Sequence, residues 1–220
     1  MPPAPPPVTA RSTPTATVLE AGTRLWRVHR RTRAATDFKA VPSDGQFGGG
    51  RFDGTRDDPY PFWYAALHAE TALLEALVRG IPFDHRGVRY LRRAALAELA
   101  ISAVDVAADL KLISLLTTAD LAASCQDEWL IHADPPQYPQ TRRWGHWLRE
   151  RAPWGQGLVW PSRRDIGRPT TLLFGDRVPA EALASVPEAT VALDDAAGAR
   201  WLNERLAPYR VQVKAPRARG

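Results

Sequence analysis

The sequence predicts an α+β fold, and three observations carry that prediction. Short apolar strand-like pieces alternate with helical ones, but without the regular spacing that builds a doubly wound parallel sheet. One segment, 68–79, has a clear helical period. A long glycine-rich polar stretch, 30–59, lies between the first two apolar pieces rather than a crossover helix.

Taken in order, residues 1–20 hold six of the twenty prolines and almost no charge. That composition cannot build a core, so 1–21 is expected to be a disordered Pro-rich tail. Leu25–His29 is a compact apolar strand. Residues 30–59 end in GQFGGGRFDGTRDDP, and a structureless stretch of that length inside a domain reads as a functional loop or a disordered one. Phe62–Leu67 is a buried strand leading into the helix 68–79. Ala69, Ala72, Leu73, Ala76 and Leu77 follow the spacing of a core face, and Gly80 with Pro82 stops the helix. His68, Thr71, Glu75 and Arg79 form a polar stripe bordered by Leu74 and Val78. A carboxylate is thereby held beside apolar surface.

Further on, Leu116–Glu128 and Thr141–Ala152 read as helices, the first capped by threonine with Asp120 in its first turn. Gly157–Trp160 and Thr171–Phe174 are short strands around the loop PSRRDIGRP. Asp194 caps a helix through Leu206, and Tyr209–Val213 alternates like a last strand. The domain is expected to span 22–213, with a basic tail over 214–220.

The net charge of +5 is unevenly placed. Residues 1–22 contribute zero and the end contributes +3 (Lys214, Arg217, Arg219), leaving +2 on the body. So diffuse a charge argues against nucleic acid as the main ligand despite a pI of about 9.8. No apolar run is long enough to span a membrane. The one cysteine, Cys125, gives no sign of an oxidising compartment, and a cytoplasmic location is expected.

Several motifs fail. The triplet Gly48–Gly50 lacks the Gly-Lys-Ser/Thr ending of a P-loop. His68-Ala69-Glu70 lacks the cysteine pair of a zinc deaminase, and no Cys/His cluster has metal-ligand spacing. Ser162 is not in a G-x-S-x-G elbow. Five residues survive: Arg27, Arg51, Tyr64, Glu75 and Ser162. Guanidinium forks suit a diphosphate, and a tyrosine offers a ring face and a hydroxyl to a flat heterocycle. A carboxylate can stabilise positive charge as a C1′–N bond breaks. Each residue also has an ordinary reading. Glu75 and Arg79 stand at i, i+4 like a surface pair, and Ser162 after Pro161 fits a plain turn. Glu70 lies about 140° from Glu75 around a helix, so the two cannot serve one ligand.

The stretch GGGRF…YAALHAETALLEAL, with LWRV before it and GLVWPSRR after it, resembles the RES domain family over about Leu25 to Phe174. The resemblance implies a mixed-sheet core like that of ADP-ribosyltransferase toxins, flanked by helices. It implies an enzyme that consumes NAD⁺ as substrate by breaking the nicotinamide–ribose bond, as glycohydrolase or phosphorylase. Such proteins are typically toxins paired with a helix-turn-helix antitoxin of the Xre type. Carried over by motif, Glu75 is the catalytic carboxylate, with Arg27 and Tyr64 catalytic beside it; Arg27 and Arg51 bind the diphosphate, Tyr64 orients nicotinamide, and Ser162 completes the cofactor site. Val28 stands where some relatives carry an aromatic, leaving any stacking to Trp26, Trp63 or another ring. Two alternatives remain open: a mono-ADP-ribosyltransferase acting on a protein, and a non-catalytic basic module binding nucleic acid or a partner.

Overall fold

A computed structural model describes residues 5–9 and 12–213. The sheet begins earlier than expected, with β1 at Ala16–Leu19, followed by β2 at Arg24–Arg30 and β3 at Phe62–Ala66. Helix α1, Ala69–Leu73, runs straight into a π-helical turn over Leu74–Val78. Strands β4 (Arg89–Leu91), β5 (Leu99–Val106) and β6 (Leu110–Ser114) come next. Three helices follow: α2 at Thr118–Ala123, α3 at Trp129–His132 and α4 at Tyr138–Arg151. The chain closes with β7 (Gly157–Pro161), β8 (Pro169–Phe174), β9 (Leu183–Ala192), helix α5 (Ala196–Leu206) and β10 (Val211–Val213).

Eight strands form one mixed sheet in the order β1-β6-β7-β8-β3-β2-β5-β9, while β10 and β4 make a separate parallel pair. Within the large sheet only β6 and β7 run parallel. The α+β expectation holds. Period-two alternation divides the core between the two faces of the sheet. Phe62, Leu172 and Phe174 pack toward Trp144, Trp147 and Leu148 of α4, whereas Trp63, Leu173 and Leu25 pack on the opposite side. A third cluster joins α1 and α5 through Leu73, Leu74, Val78 and Leu202.

The structure corrects the expected tail. Ala16–Leu19 pairs with β6 in register, and further back the carbonyl of Pro7 accepts the Trp147 indole N–H at 3.2 Å. A strand can join a sheet through its backbone alone, so the proline-rich composition before it was no obstacle. Residues 214–220, the expected basic tail, lie outside the described residues.

The helix over 68–79 is also revised. Leu74 and Val78, expected beside the polar stripe, are buried at 1% and 2% exposure, while Ala76 is exposed. The cause is the wider turn: π geometry aligns residues five apart, bringing Leu73 and Val78 to the core together. Burying either side chain contributes about 1.5–3 kcal/mol. The span expected as one helix over Leu116–Glu128 breaks at Cys125, whose φ of 55° lies in the left-handed region, into α2 and α3. Thr117 caps α2 as expected, in a reciprocal pair with Asp120. Among the described residues no helix is long and apolar enough to cross a membrane.

Candidate functional site

A cavity of about 300 Å³ opens between the α1–π helix, the N-terminal turn of α4 and the glycine loop that follows β2. Four of the five residues singled out in the sequence line it: Arg27, Arg51, Tyr64 and Glu75. The fifth, Ser162, does not.

Glu75 comes from the π-helical turn, a widening often found where a side chain is aimed out of register. Its Oε1 accepts the Ser162 hydroxyl at 2.6 Å and, at longer range, the Arg164 amide at 3.4 Å. Ser162 is only 2% exposed, and its Oγ also accepts the amides of Arg164 and Asp165 at 3.1 and 3.0 Å. With those two donors pointing at it, the hydroxyl has one direction left for its proton, toward Glu75. Ser162, expected to touch the ligand, therefore stands behind the carboxylate and orients it. One turn earlier Thr71 donates to buried Asp165 at 2.6 Å, so the helix and the 162–165 loop are tied twice.

Arg27 projects from β2 and donates to the carbonyls of Ala35 at 2.9 Å and Asp37 at 2.5 Å. Its guanidinium lies 5.4 Å from the centre of the Trp63 ring, which fixes Trp63 beneath it in the core, with no exposed surface. Burial pulls the Arg27 pKa down to about 10, partly offset by the Asp37 charge, so it remains a cation at neutral pH.

Arg51 is 8% exposed, and its Nη2 donates to the Ala133 carbonyl at 3.1 Å. Its Nε is buried without a partner. Burial lowers its pKa, while Tyr138 and Glu75 favour the charged form. Tyr64 differs from expectation in one respect. Its hydroxyl gives its proton to Asp53 at 2.9 Å and accepts the Phe52 amide at 3.0 Å, so it has no proton for a ligand. Burial pushes that phenol well above its ordinary pKa. What Tyr64 presents to the cavity is its ring, set edge-on to Trp160.

Two lining residues, Tyr138 and Lys39, escaped the sequence reading, and Arg79 appeared there only as a partner on the stripe of Glu75. Tyr138, at the start of α4, collects two cations: Arg79 lies 4.8 Å and Arg51 5.5 Å from its ring centre. Arg79 also donates to the Tyr138 hydroxyl at 2.5 Å, while Glu75 is bonded by Ser162 instead; no ion pair between Arg79 and Glu75 is found among the described residues. Lys39 sits over the Phe62 ring at 5.4 Å. Nothing in the local sequence marks Tyr138, which is 63 positions beyond Glu75 and joins it only at the cavity. The lining thus holds four cations (Arg27, Lys39, Arg51, Arg79) against two carboxylates (Asp53, Glu75), a formal excess of +2.

A mixed α+β sheet with a basic, partly aromatic cavity that also holds two carboxylates defines the class of fold and site. The RES domain family matches residues 24–196, and the chain belongs to that family. Among solved structures, the toxin of the M. tuberculosis MbcT–MbcA toxin–antitoxin complex has a similar fold, with a TM-score of 0.51 and 18% identity. The match covers 79% of this chain and 85% of that one. No curated protein matches the chain.

Proposed function

We propose that this protein is an NAD⁺-consuming enzyme that breaks the bond between nicotinamide and ribose. The observation that carries the reading is the Glu75 carboxylate, pinned by a buried hydroxyl, facing a cavity with an excess of two positive charges. A diphosphate bears two negative charges, and Arg51 and Arg27 offer it donors that stay charged at neutral pH. The Tyr64 and Trp160 rings supply a flat apolar wall for nicotinamide.

The chemistry asks little of the protein beyond placement. Nicotinamide leaves as a neutral molecule from a cationic ring, so no acid is needed to protonate it. Cleavage of the C1′–N bond develops positive charge on the ribose, which Glu75 stabilises across the cavity. In hydrolysis a water molecule then bonds to C1′ and releases one proton, which the same carboxylate accepts as base.

Membership in the RES family and the fold shared with a toxin chain support the further reading that the protein acts as the toxin of a toxin–antitoxin pair. An antitoxin, of the Xre helix-turn-helix type, is its proposed partner. Purified protein should release nicotinamide from NAD⁺, and Glu75→Ala should abolish release with circular dichroism unchanged. Undiminished release by that variant contradicts the reading. Incubation with adenine-labelled NAD⁺ and cell lysate separates the acceptors. Label on one discrete protein band indicates a mono-ADP-ribosyltransferase, whereas free ADP-ribose or its phosphate indicates degradation.

A further inference from the structure

The glycine triplet that fails as a P-loop is held in place from an unexpected direction. Arg142 of α4 is 2% exposed, yet no ion pair within the described residues neutralises it. All three of its guanidinium nitrogens go to backbone carbonyls of one loop: Nη1 to Gly45 at 2.8 Å, Nη2 to Gly48 at 2.9 Å and Nε to Gly50 at 3.1 Å. The neighbouring Thr141 donates to the Arg51 carbonyl at 2.6 Å. One turn on, Gly145 lies against Phe52, where a Cβ would come within 3.3 Å of the ring. Positions 138, 141, 142 and 145 are the i, i+3, i+4, i+7 face of α4, and the whole face serves residues 45–52.

This clamp has a consequence for the other side of the loop. In a trans peptide the N–H points opposite to the C=O, and there are no cis peptides here. With the Gly48 and Gly50 carbonyls turned to Arg142, the amides of Gly49 and Arg51 point away from it. Neither donates to any acceptor among the described residues. Gly49, Gly50 and Arg51 line the cavity. Left-handed φ angles of 85° at Gly48 and 75° at Gly49 make this path available, and Gly50 has Tyr64 Oη within 2.5 Å of where a Cβ would stand. Two amides without a protein acceptor on one short segment, backed by a buried cation, match the requirements of an anionic oxygen pair.

We infer that Arg142 is a positioning residue that folds the 45–52 loop into a diphosphate cradle, in which the Gly49 and Arg51 amides bind the substrate. The inference deepens the proposed NAD⁺ site and rests on it for the identity of the substrate, but not for the class of anion.

The test measures binding of inorganic pyrophosphate and of ADP-ribose by calorimetry, with NAD⁺ turnover alongside, in the wild type and in Arg142→Lys. Lysine keeps the charge but cannot reach three carbonyls in one plane. The expected result is a loss of at least tenfold in affinity for both diphosphates and a matching rise in KM for NAD⁺. Amide hydrogen exchange over 45–52 should quicken, while kcat changes less than threefold. Unchanged diphosphate affinity in Arg142→Lys overturns the inference, as does a fall confined to kcat. Should Arg142→Lys fail to fold, Thr141→Val decides by the same affinities, with Thr141→Ser expected to restore them. Pyrophosphate binding that depends on Arg142, without NAD⁺ turnover by the wild type, leaves the cradle standing and removes the NAD⁺ reading instead.

Discussion

The two walls of the cavity are built by opposite means. On one, Glu75 rides on a helix whose apolar residues are locked in the core, and a single buried hydroxyl at 2.6 Å sets its direction. On the other, Arg51 rides on a loop with no regular structure, fixed through its carbonyls by side chains about ninety positions away. The acidic wall is stiff because its backbone is satisfied within the helix, and only the side chain needs orienting. The basic wall is held from outside, by α4 through the carbonyls of Gly45, Gly48, Gly50 and Arg51 and by Tyr60 and Tyr64 at Phe52. The difference matches what each does: a carboxylate must be aimed at one bond, whereas a phosphate needs several donors spread over its oxygens.

The comparison predicts a division of kinetic effects, the largest on the acidic wall. Glu75→Gln should reduce kcat by about 10²–10³-fold, the scale of losing one electrostatic contact to a transition state, with KM little changed. Arg51→Ala should act the other way, raising KM for NAD⁺ roughly ten- to a hundredfold with a smaller loss in kcat, as expected for a charge-assisted contact worth about 1.5–3 kcal/mol. Steady-state kinetics at varied NAD⁺ checks both, and equal effects on kcat and KM in the two variants break the comparison. Ser162→Ala should lower kcat about tenfold, since a hydrogen bond to a charged group is worth about 1.5 kcal/mol or more.

A pH profile sharpens the role of Arg27. Its pKa near 10 means that the charge is present below that value and lost above it. KM should therefore rise as pH passes 10, and Arg27→Ala should show a high KM with no such rise. The smallest effect lies away from both walls. Burial of Asp120 opposes its ionisation, but hydrogen bonds from Ser114 and Thr117 prevail and hold the carboxyl below its ordinary value of 3.8. A depressed carboxylate contributes stability above that ordinary value and loses it as pH falls below. Thermal melts should show Asp120→Asn less stable than wild type at pH 7, and the gap closing as the pH falls below 3.8. Removing the cap with Thr117→Ala should cost about 1 kcal/mol.

How much was legible in the sequence follows the same division. The helix carrying Glu75 announced itself by periodicity and a glycine stop, although its π turn, which exchanges Ala76 for Val78 in the core, has no periodic signature. The loop announced its glycines and Arg51, but not what holds them. Arg142 was invisible because its partners are carbonyls, and any residue supplies a carbonyl. Strand β5 was missed because it is buried on both faces between β2 and β9, which erases alternation. Strand β9 was missed for the opposite reason. It is largely exposed at the sheet edge and carries Pro187 where its pairing jumps from Val186 to Thr190, a break that a proline tolerates and a central strand would not. Ser162 was found by resemblance, yet its place behind the carboxylate could be learned only from its three hydrogen bonds.

The most direct test of the whole account is mass analysis of what NAD⁺ becomes when incubated with the purified protein. Free nicotinamide, appearing in step with NAD⁺ loss, is the predicted result, with the ADP-ribosyl group on water, phosphate or a protein. Nicotinamide mononucleotide and AMP, the products of cutting the diphosphate instead, would contradict it, as would NAD⁺ that survives intact.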